Sequence, residues 1–171
     1  MSEHEGATTF QGNPLTLVGD LPEVGQAVPD AVLVGNDLAE MRVSSFRGRV
    51  LILATVPSLD TPVCATETRR FNEEAAGLGD AVRILTVSMD LPFAQARWCG
   101  AEGIDAVTTA SDHRDAALGE GWGVLIKELR LLARAVFVVD ADGVLRYRQL
   151  VTEVTEEPDY TPVLAAARDL A

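Results

Sequence analysis

The chain has 171 residues, and 14 Lys and Arg against 26 Asp and Glu give it a formal net charge of −12. This length suits one domain with a sizeable core better than two, so we expect a single domain over residues 1–171. A surface this acidic repels phosphate backbones and anionic headgroups, which argues against nucleic-acid and membrane partners. The polar, acidic first residues lack the basic-then-apolar pattern of a signal peptide, and a cytoplasmic location is the default prediction.

The predicted elements alternate between strand and helix along most of the chain. Residues 1–8 are predicted to be a flexible tail, followed by a β-hairpin around Gly12-Asn13-Pro14. The order of the later elements predicts an α/β fold in which helices flank both faces of a mixed central sheet. In chain order these are strands 32–34 and 50–56, helix 62–78, strand 82–87, helix 92–99, a helical piece 114–119, strands 135–139 and 144–150, and a helix that Asp159 caps and that ends near residue 170.

Only two cysteines, Cys64 and Cys99, and two histidines are present. These side chains cannot form a Cys/His quartet at zinc-finger spacing, so we predict no metal site. The glycine-rich stretch 119–123 resembles a phosphate-binding loop in composition only, because no strand precedes it, and we predict no cofactor.

A permanent disulfide is rare in cytosolic proteins. Counting alone leaves two alternatives, which are two buried bystander thiols or one catalytic pair.

Cys64 falls in the first turn of the predicted helix 62–78. Thr61 suits the N-cap, and Pro62 suits the first helical position because its missing N–H would be unpaired there anyway. Backbone N–H groups and the helix dipole favour a thiolate at this end of a helix, and the thiolate is the reactive form of cysteine. Helical spacing puts Cys64 on the same face as Phe71, which points it toward the sheet. A buried core cysteine fits this placement equally well.

Cys99 lies near the predicted end of its own helix, where carbonyl groups point outward and disfavour a thiolate. If the two cysteines act as a pair, Cys64 is therefore the attacking thiol and Cys99 its partner. Their wide separation in sequence excludes the C-x-x-C motif of thioredoxin-like carriers.

Several separated motifs occur in order along the chain. The stretch from Pro57 to Cys64 has the pattern P-x-x-x-T-x-x-C, and the stretch D-L-P-F-A-Q begins at Asp90 and precedes Cys99. F-Q-G-N-P near the N-terminus, A-R-A-V around Arg134 and E-P-D-Y near the C-terminus accompany them. Together these motifs resemble the bacterial thiol peroxidase subgroup of the peroxiredoxin family. The resemblance covers nearly the whole chain after the first eight residues and favours a catalytic pair over bystander thiols.

This resemblance implies a thioredoxin-like fold and an atypical two-cysteine peroxidase. Cys64 is then the peroxidatic residue, which attacks hydrogen peroxide or an organic hydroperoxide and becomes a sulfenic acid. Cys99 is the resolving residue, which forms an intramolecular disulfide with Cys64, and thioredoxin or a similar dithiol reductant recycles it. By the same resemblance Pro57 shields the site, Thr61 hydrogen-bonds the peroxide, and Arg134 holds the thiolate and the polarised O–O bond. The family also leads us to expect a homodimer.

Two other functions remain open from the sequence. A non-catalytic redox switch would use the same disulfide to regulate binding to another protein, and it would consume peroxide only stoichiometrically. A protein disulfide oxidoreductase would reduce other proteins, but the absence of C-x-x-C disfavours it.

Overall fold

A seven-stranded mixed sheet forms the centre of the molecule in the computed structural model, which describes residues 1–171. Its strand order is β11-β10-β5-β6-β7-β3-β4, and β5, β6 and β7 run parallel while the other neighbours are antiparallel. Its strands are β3 (Val32–Gly35), β4 (Glu40–Arg42), β5 (Val50–Thr55), β6 (Val82–Ser88), β7 (Thr108–Ser111), β10 (Ala135–Val139) and β11 (Leu145–Leu150). A smaller antiparallel sheet contains β1 (Glu3–Phe10), β2 (Asn13–Val18), β8 (Leu125–Ile126) and β9 (Leu131–Leu132).

Four α-helices complete the fold. They are α1 (Pro62–Leu78), α2 (Pro92–Glu102), α3 (Ala117–Gly121) and α4 (Tyr160–Leu170), and a 3-10 turn covers Val43–Phe46. No helix in the structure combines the length and the apolar character needed to cross a bilayer.

The central strand β5 is buried on both faces, as its apolar sequence predicts. Val50, Ile52 and Ala54 pack against α1 and α4, whereas Leu51 and Leu53 pack against the smaller sheet and α3. The predicted mixed sheet with flanking helices and the predicted N-terminal hairpin are therefore confirmed, while the smaller sheet was not predicted.

The prediction of a flexible tail over residues 1–8 is wrong for residues 3–8, which belong to strand β1. Backbone pairing with β2 orders this polar segment, and Thr8 is fully buried, its hydroxyl donating to the carbonyl of Thr152 at 2.8 Å. Tertiary hydrogen bonds thus order a stretch whose composition alone gives no strand signal.

Helix α2 continues to Glu102 rather than ending at Cys99. Gly103, not Gly100, adopts the left-handed conformation that ends the helix, with φ 67°. Cys99 nevertheless stays in the last turn, where its carbonyl accepts from the N–H groups of Gly103 and Ile104. The predicted helical piece 114–119 is also displaced, to Ala117–Gly121.

Candidate active site

The carboxyl end of β5 leads through a short loop into α1, and this junction places Cys64. Thr61 is extended, with φ −105° and ψ 146°, at the N-cap position, and Pro62 begins the helix. The Thr61 hydroxyl donates to the carbonyl of Ser58 at 2.8 Å and does not cap the helix, contrary to the expected N-cap role of its side chain. The first-turn N–H groups are left without a side-chain acceptor, so they remain available to an anion.

The sulfur of Cys64 is buried between apolar side chains and one guanidinium. Cys64 is fully buried and packs against Val56 and Leu59, with Trp98 of α2 partly buried against the same cluster. Arg134 Nη2 donates to the Cys64 Sγ at 3.1 Å. A bystander core cysteine needs no buried guanidinium, so this contact favours the catalytic alternative.

Arg134 immediately precedes β10 and is 1% exposed. Its guanidinium makes three hydrogen bonds, to Cys64 Sγ, to Glu67 Oε2 at 2.6 Å and to the carbonyl of Val154 at 3.0 Å. Burial alone would lower the pKa of Arg134, but the charges of Glu67 and Cys64 raise it above its ordinary value. The side chain is therefore a fixed, permanently charged donor beside the sulfur.

Glu67 is a site residue that sequence reasoning missed. It lies one turn after Cys64 on α1 and is fully buried, with Oε2 on Arg134 and Oε1 lacking any hydrogen-bond partner. Burial raises the pKa of this carboxyl to about 7, against the opposing effect of Arg134. The spacing of three residues from Cys64, which puts both on one helix face, was the available signal.

Glu67→Gln is expected to remove a pH dependence of stability. Because the pKa of Glu67 rises from 4.5 to about 7 on folding, the folded state holds an extra proton between these pH values. Relative to the variant, the wild type should lose on the order of 3 kcal/mol of unfolding free energy as the pH rises through this window. Urea unfolding of both proteins across the window measures the difference, and parallel pH profiles would show that Glu67 does not titrate there.

Pro57 and Thr61 flank the same loop. Pro57 is buried and follows Val56, which belongs to the Cys64 cluster. Thr61 is exposed at the N-terminus of α1. The structure thus brings Pro57, Thr61, Cys64 and Arg134 to one end of β5 and β10.

Cys99 lies on α2 in a different environment. It is half-buried, and its Sγ is 3.6 Å from the Thr109 hydroxyl on β7, which in turn donates to Asn36 Oδ1 at 3.1 Å. Burial raises the pKa of the Cys99 thiol. The two cysteines are not bonded to each other in this structure. A guanidinium thus hydrogen-bonds the sulfur of Cys64, whereas the hydrogen-bond partner of the Cys99 sulfur is a neutral hydroxyl.

No group of three or more His, Cys, Asp or Glu side chains is gathered to hold a metal ion. Two of the three glycines in 119–123 have a packing reason, because a Cβ on Gly119 would lie 2.8 Å from Leu132 and one on Gly123 would lie 2.5 Å from the backbone of Asp20.

Comparison with known proteins identifies the family to which the chain belongs. A model of the Redoxin family matches residues 23–164. The thiol peroxidase of Bacillus subtilis is 54% identical over 162 residues, covering 95% of this chain and 96% of the relative. A peroxiredoxin-like protein from Aquifex aeolicus superposes with a TM-score of 0.91 at 47% identity, covering 98% of this chain and 99% of that one. A thiol peroxidase from Chromobacterium violaceum, 19% identical with a TM-score of 0.85, shares the fold.

A thioredoxin-like α/β fold with a buried cysteine at a helix start, held by an arginine, defines a thiol-dependent oxidoreductase of the peroxiredoxin type. The family match and the high identity over almost the full length place the chain more narrowly. It belongs to the Redoxin family, in the branch of the bacterial thiol peroxidases. The resemblance inferred from the sequence motifs is therefore confirmed.

Proposed function

We propose that the protein is a peroxidase that reduces hydrogen peroxide and organic hydroperoxides at Cys64. The observation that carries the proposal is the 3.1 Å hydrogen bond from Arg134 Nη2 to the buried Cys64 Sγ, at the N-terminus of α1. The thiolate is the reactive form of cysteine, and in general a nearby positive charge and a position in the first turn of a helix favour that form. The names of the relatives support the same chemistry.

In the first step the Cys64 thiolate attacks the distal oxygen of the peroxide. A new S–O bond forms and the O–O bond breaks, so the sulfur is oxidised by two electrons to a sulfenic acid and the peroxide is reduced. Negative charge passes to the leaving oxygen, which takes up the proton that the thiol had released and departs as water or an alcohol. Fixed N–H donors stabilise that developing charge, and the low dielectric of a buried pocket strengthens their effect.

Three residues around Cys64 take part in this step. Arg134 holds the thiolate and, as the O–O bond lengthens, the oxygen that leaves. Thr61 already donates its proton to the carbonyl of Ser58, so its hydroxyl oxygen is oriented to accept a hydrogen bond from the peroxide. Pro57, which is buried beside Val56, excludes water from the sulfur.

In the second step Cys99 resolves the sulfenic acid. Its sulfur attacks the sulfur of Cys64, a disulfide forms within the chain, and the hydroxyl leaves as water. Two electrons and two protons from thioredoxin or a similar dithiol reductant then restore both thiols. Cys64 is buried against Arg134 while Cys99 contacts Thr109, so the two helices have to rearrange locally before the sulfurs meet.

The proposal also includes a cytoplasmic homodimer. Two large apolar side chains at the start of α2, Leu91 and Phe93, are 54% and 69% exposed. Neighbouring exposed apolar side chains of this size are typical of a surface that contacts another protein. Contact with a second copy of the chain would cover them.

Cys99→Ser is expected to react once with peroxide and then to stop. Without a resolving thiol, the sulfenic acid on Cys64 persists and over-oxidises to the sulfinic form when more peroxide is added. The test follows peroxide consumption with a thioredoxin system and traps sulfenic acid with a dimedone-type reagent in the variant and the wild type. Repeated turnover by wild type supports an enzyme, whereas stoichiometric consumption supports the redox switch. Equal trapping in both proteins would contradict the role of Cys99.

A further inference from the structure

The carboxylate of Asp90 joins the two segments that carry the cysteines. Asp90 lies in the loop between β6 and α2. Its Oδ1 accepts from the Ser58 hydroxyl at 2.7 Å, and its Oδ2 accepts from the backbone N–H of Leu59 at 2.8 Å and from the Ser88 hydroxyl at 2.7 Å. Hydrogen bonds to a charged acceptor are roughly twice as strong as those between neutral groups.

On the Cys64 side, these bonds fix the loop from which α1 begins. Leu59, whose N–H donates to the carboxylate, belongs to the same small buried cluster as Cys64. Ser58, the second partner, provides the carbonyl that the Thr61 hydroxyl uses. A displacement of this loop therefore moves both the Leu59 side chain, which packs in the Cys64 cluster, and the Thr61 hydroxyl.

On the Cys99 side, the same network holds the first half of α2. The Ser88 hydroxyl, which donates to Asp90, accepts from Gln95 Nε2 at 2.9 Å, and that amide also donates to the carbonyl of Ala110 at 2.9 Å. Gln95 is 1% exposed. The second half of α2 has weaker ties, namely the 3.6 Å contact of Cys99 with Thr109 and an exposed ion pair between Glu102 and Arg69.

We propose that Asp90 is a positioning residue for both steps of the reaction, an inference that rests on the proposed function. Asp90 holds the loop before α1 in the geometry that peroxide attack at Cys64 requires. It also confines the later rearrangement to residues 97–103, which are the second half of α2 and the glycine that ends it. A disulfide needs the two Cα atoms to lie about 4.4–6.8 Å apart. The second half of α2, which is held by fewer and weaker hydrogen bonds than the first, is the part that can unwind at low cost to reach Cys64.

Asp90→Asn separates these two effects, because asparagine keeps the shape of the side chain and loses its charge. We expect attack on peroxide to slow by about tenfold or more, which corresponds to the loss of one charge-assisted hydrogen bond. Disulfide formation from the sulfenic acid should keep its rate or become faster, because α2 is less restrained. Stopped-flow fluorescence of Trp98, which contacts the Cys64 cluster and adjoins Cys99, follows both steps.

Asp112→Asn is the matched control. Asp112 is a buried aspartate whose carboxylate, like that of Asp90, accepts backbone N–H groups, here those of Leu118 and Gly119 at 3.1 and 2.7 Å at the start of α3. This substitution should lower the unfolding free energy and leave the ratio of the two rates unchanged. If both variants change the ratio alike, or if Asp90→Asn slows both steps equally or neither, the proposal is overturned.

Amide exchange of the wild type tests the proposal without any variant. On formation of the disulfide, protection should fall in residues 97–103 and persist in residues 92–96. Loss of protection across all of α2, or across none of it, would contradict the anchoring role. If wild type fails to consume peroxide at all, the proposed function itself fails, whereas normal wild-type kinetics with an unaffected Asp90→Asn variant removes only this inference.

Discussion

Cys64→Ser is expected to abolish peroxide turnover while the fold stays intact. Serine fits the same buried position, and its oxygen can still accept the hydrogen bond from Arg134. It has no sulfur, however, and its hydroxyl is a much weaker nucleophile than a thiolate. Peroxide consumption with a thioredoxin system should fall to the level of the reaction without protein. Circular dichroism and thermal unfolding establish that the variant is folded.

Cys99→Ser provides the control for this substitution, because it makes the same chemical change at the half-buried cysteine. The Cys99 variant should retain the first reaction with peroxide, and the Cys64 variant should lose it. Substantial turnover by folded Cys64→Ser would exclude Cys64 as the nucleophile and transfer the role to another group.

Arg134→Lys should slow the attack on peroxide by roughly ten- to a thousandfold, since losing one preorganised donor of this kind costs about 2–4 kcal/mol of transition-state stabilisation. Lysine keeps the positive charge but has no planar group that can reach Cys64, Glu67 and the carbonyl of Val154 together. The measurement is the second-order rate constant for oxidation of Cys64, followed by Trp98 fluorescence.

Arg148→Lys is the corresponding control. Arg148 also donates to a backbone carbonyl, that of Pro22 at 2.6 Å, but makes no hydrogen bond to either cysteine. Its substitution should leave the attack rate within about twofold of wild type, a difference well under 1 kcal/mol. An Arg134→Lys variant that reacts as fast as this control would place Arg134 outside the reacting centre.

Much of the site was predictable because its signals are local in sequence. Thr61 and Pro62 mark a helix start by their own conformational preferences, and the spacing of Cys64 and Phe71 gives the buried face. Arg134 has no such signal, because nothing in the sequence near it shows that it lies beside Cys64. Only the resemblance to a family indicated its role, and the hydrogen bond to Cys64 comes from the pairing of β10 with β5.

The features that sequence reasoning missed are those set by tertiary contacts. In the sequence Glu67 is an ordinary charged residue of α1, and only the structure shows that it is buried against Arg134. In the sequence Asp90 is an ordinary loop residue, and only the structure shows that Ser58 and Leu59 donate hydrogen bonds to its carboxylate. The strand over residues 3–8 depends on pairing with β2, so composition could not reveal it. In each case the partner is distant in sequence or lies on another element.

Peptide mapping after a single equivalent of hydrogen peroxide, with no reductant present, identifies the sulfur that the peroxide oxidises first. The wild type should yield one disulfide that joins the peptides containing Cys64 and Cys99, and the Cys99→Ser variant should carry the oxidation on Cys64 alone. If Cys64 remains a thiol in the folded protein while peroxide is consumed, or if Cys99 is oxidised first, the account of this site is contradicted.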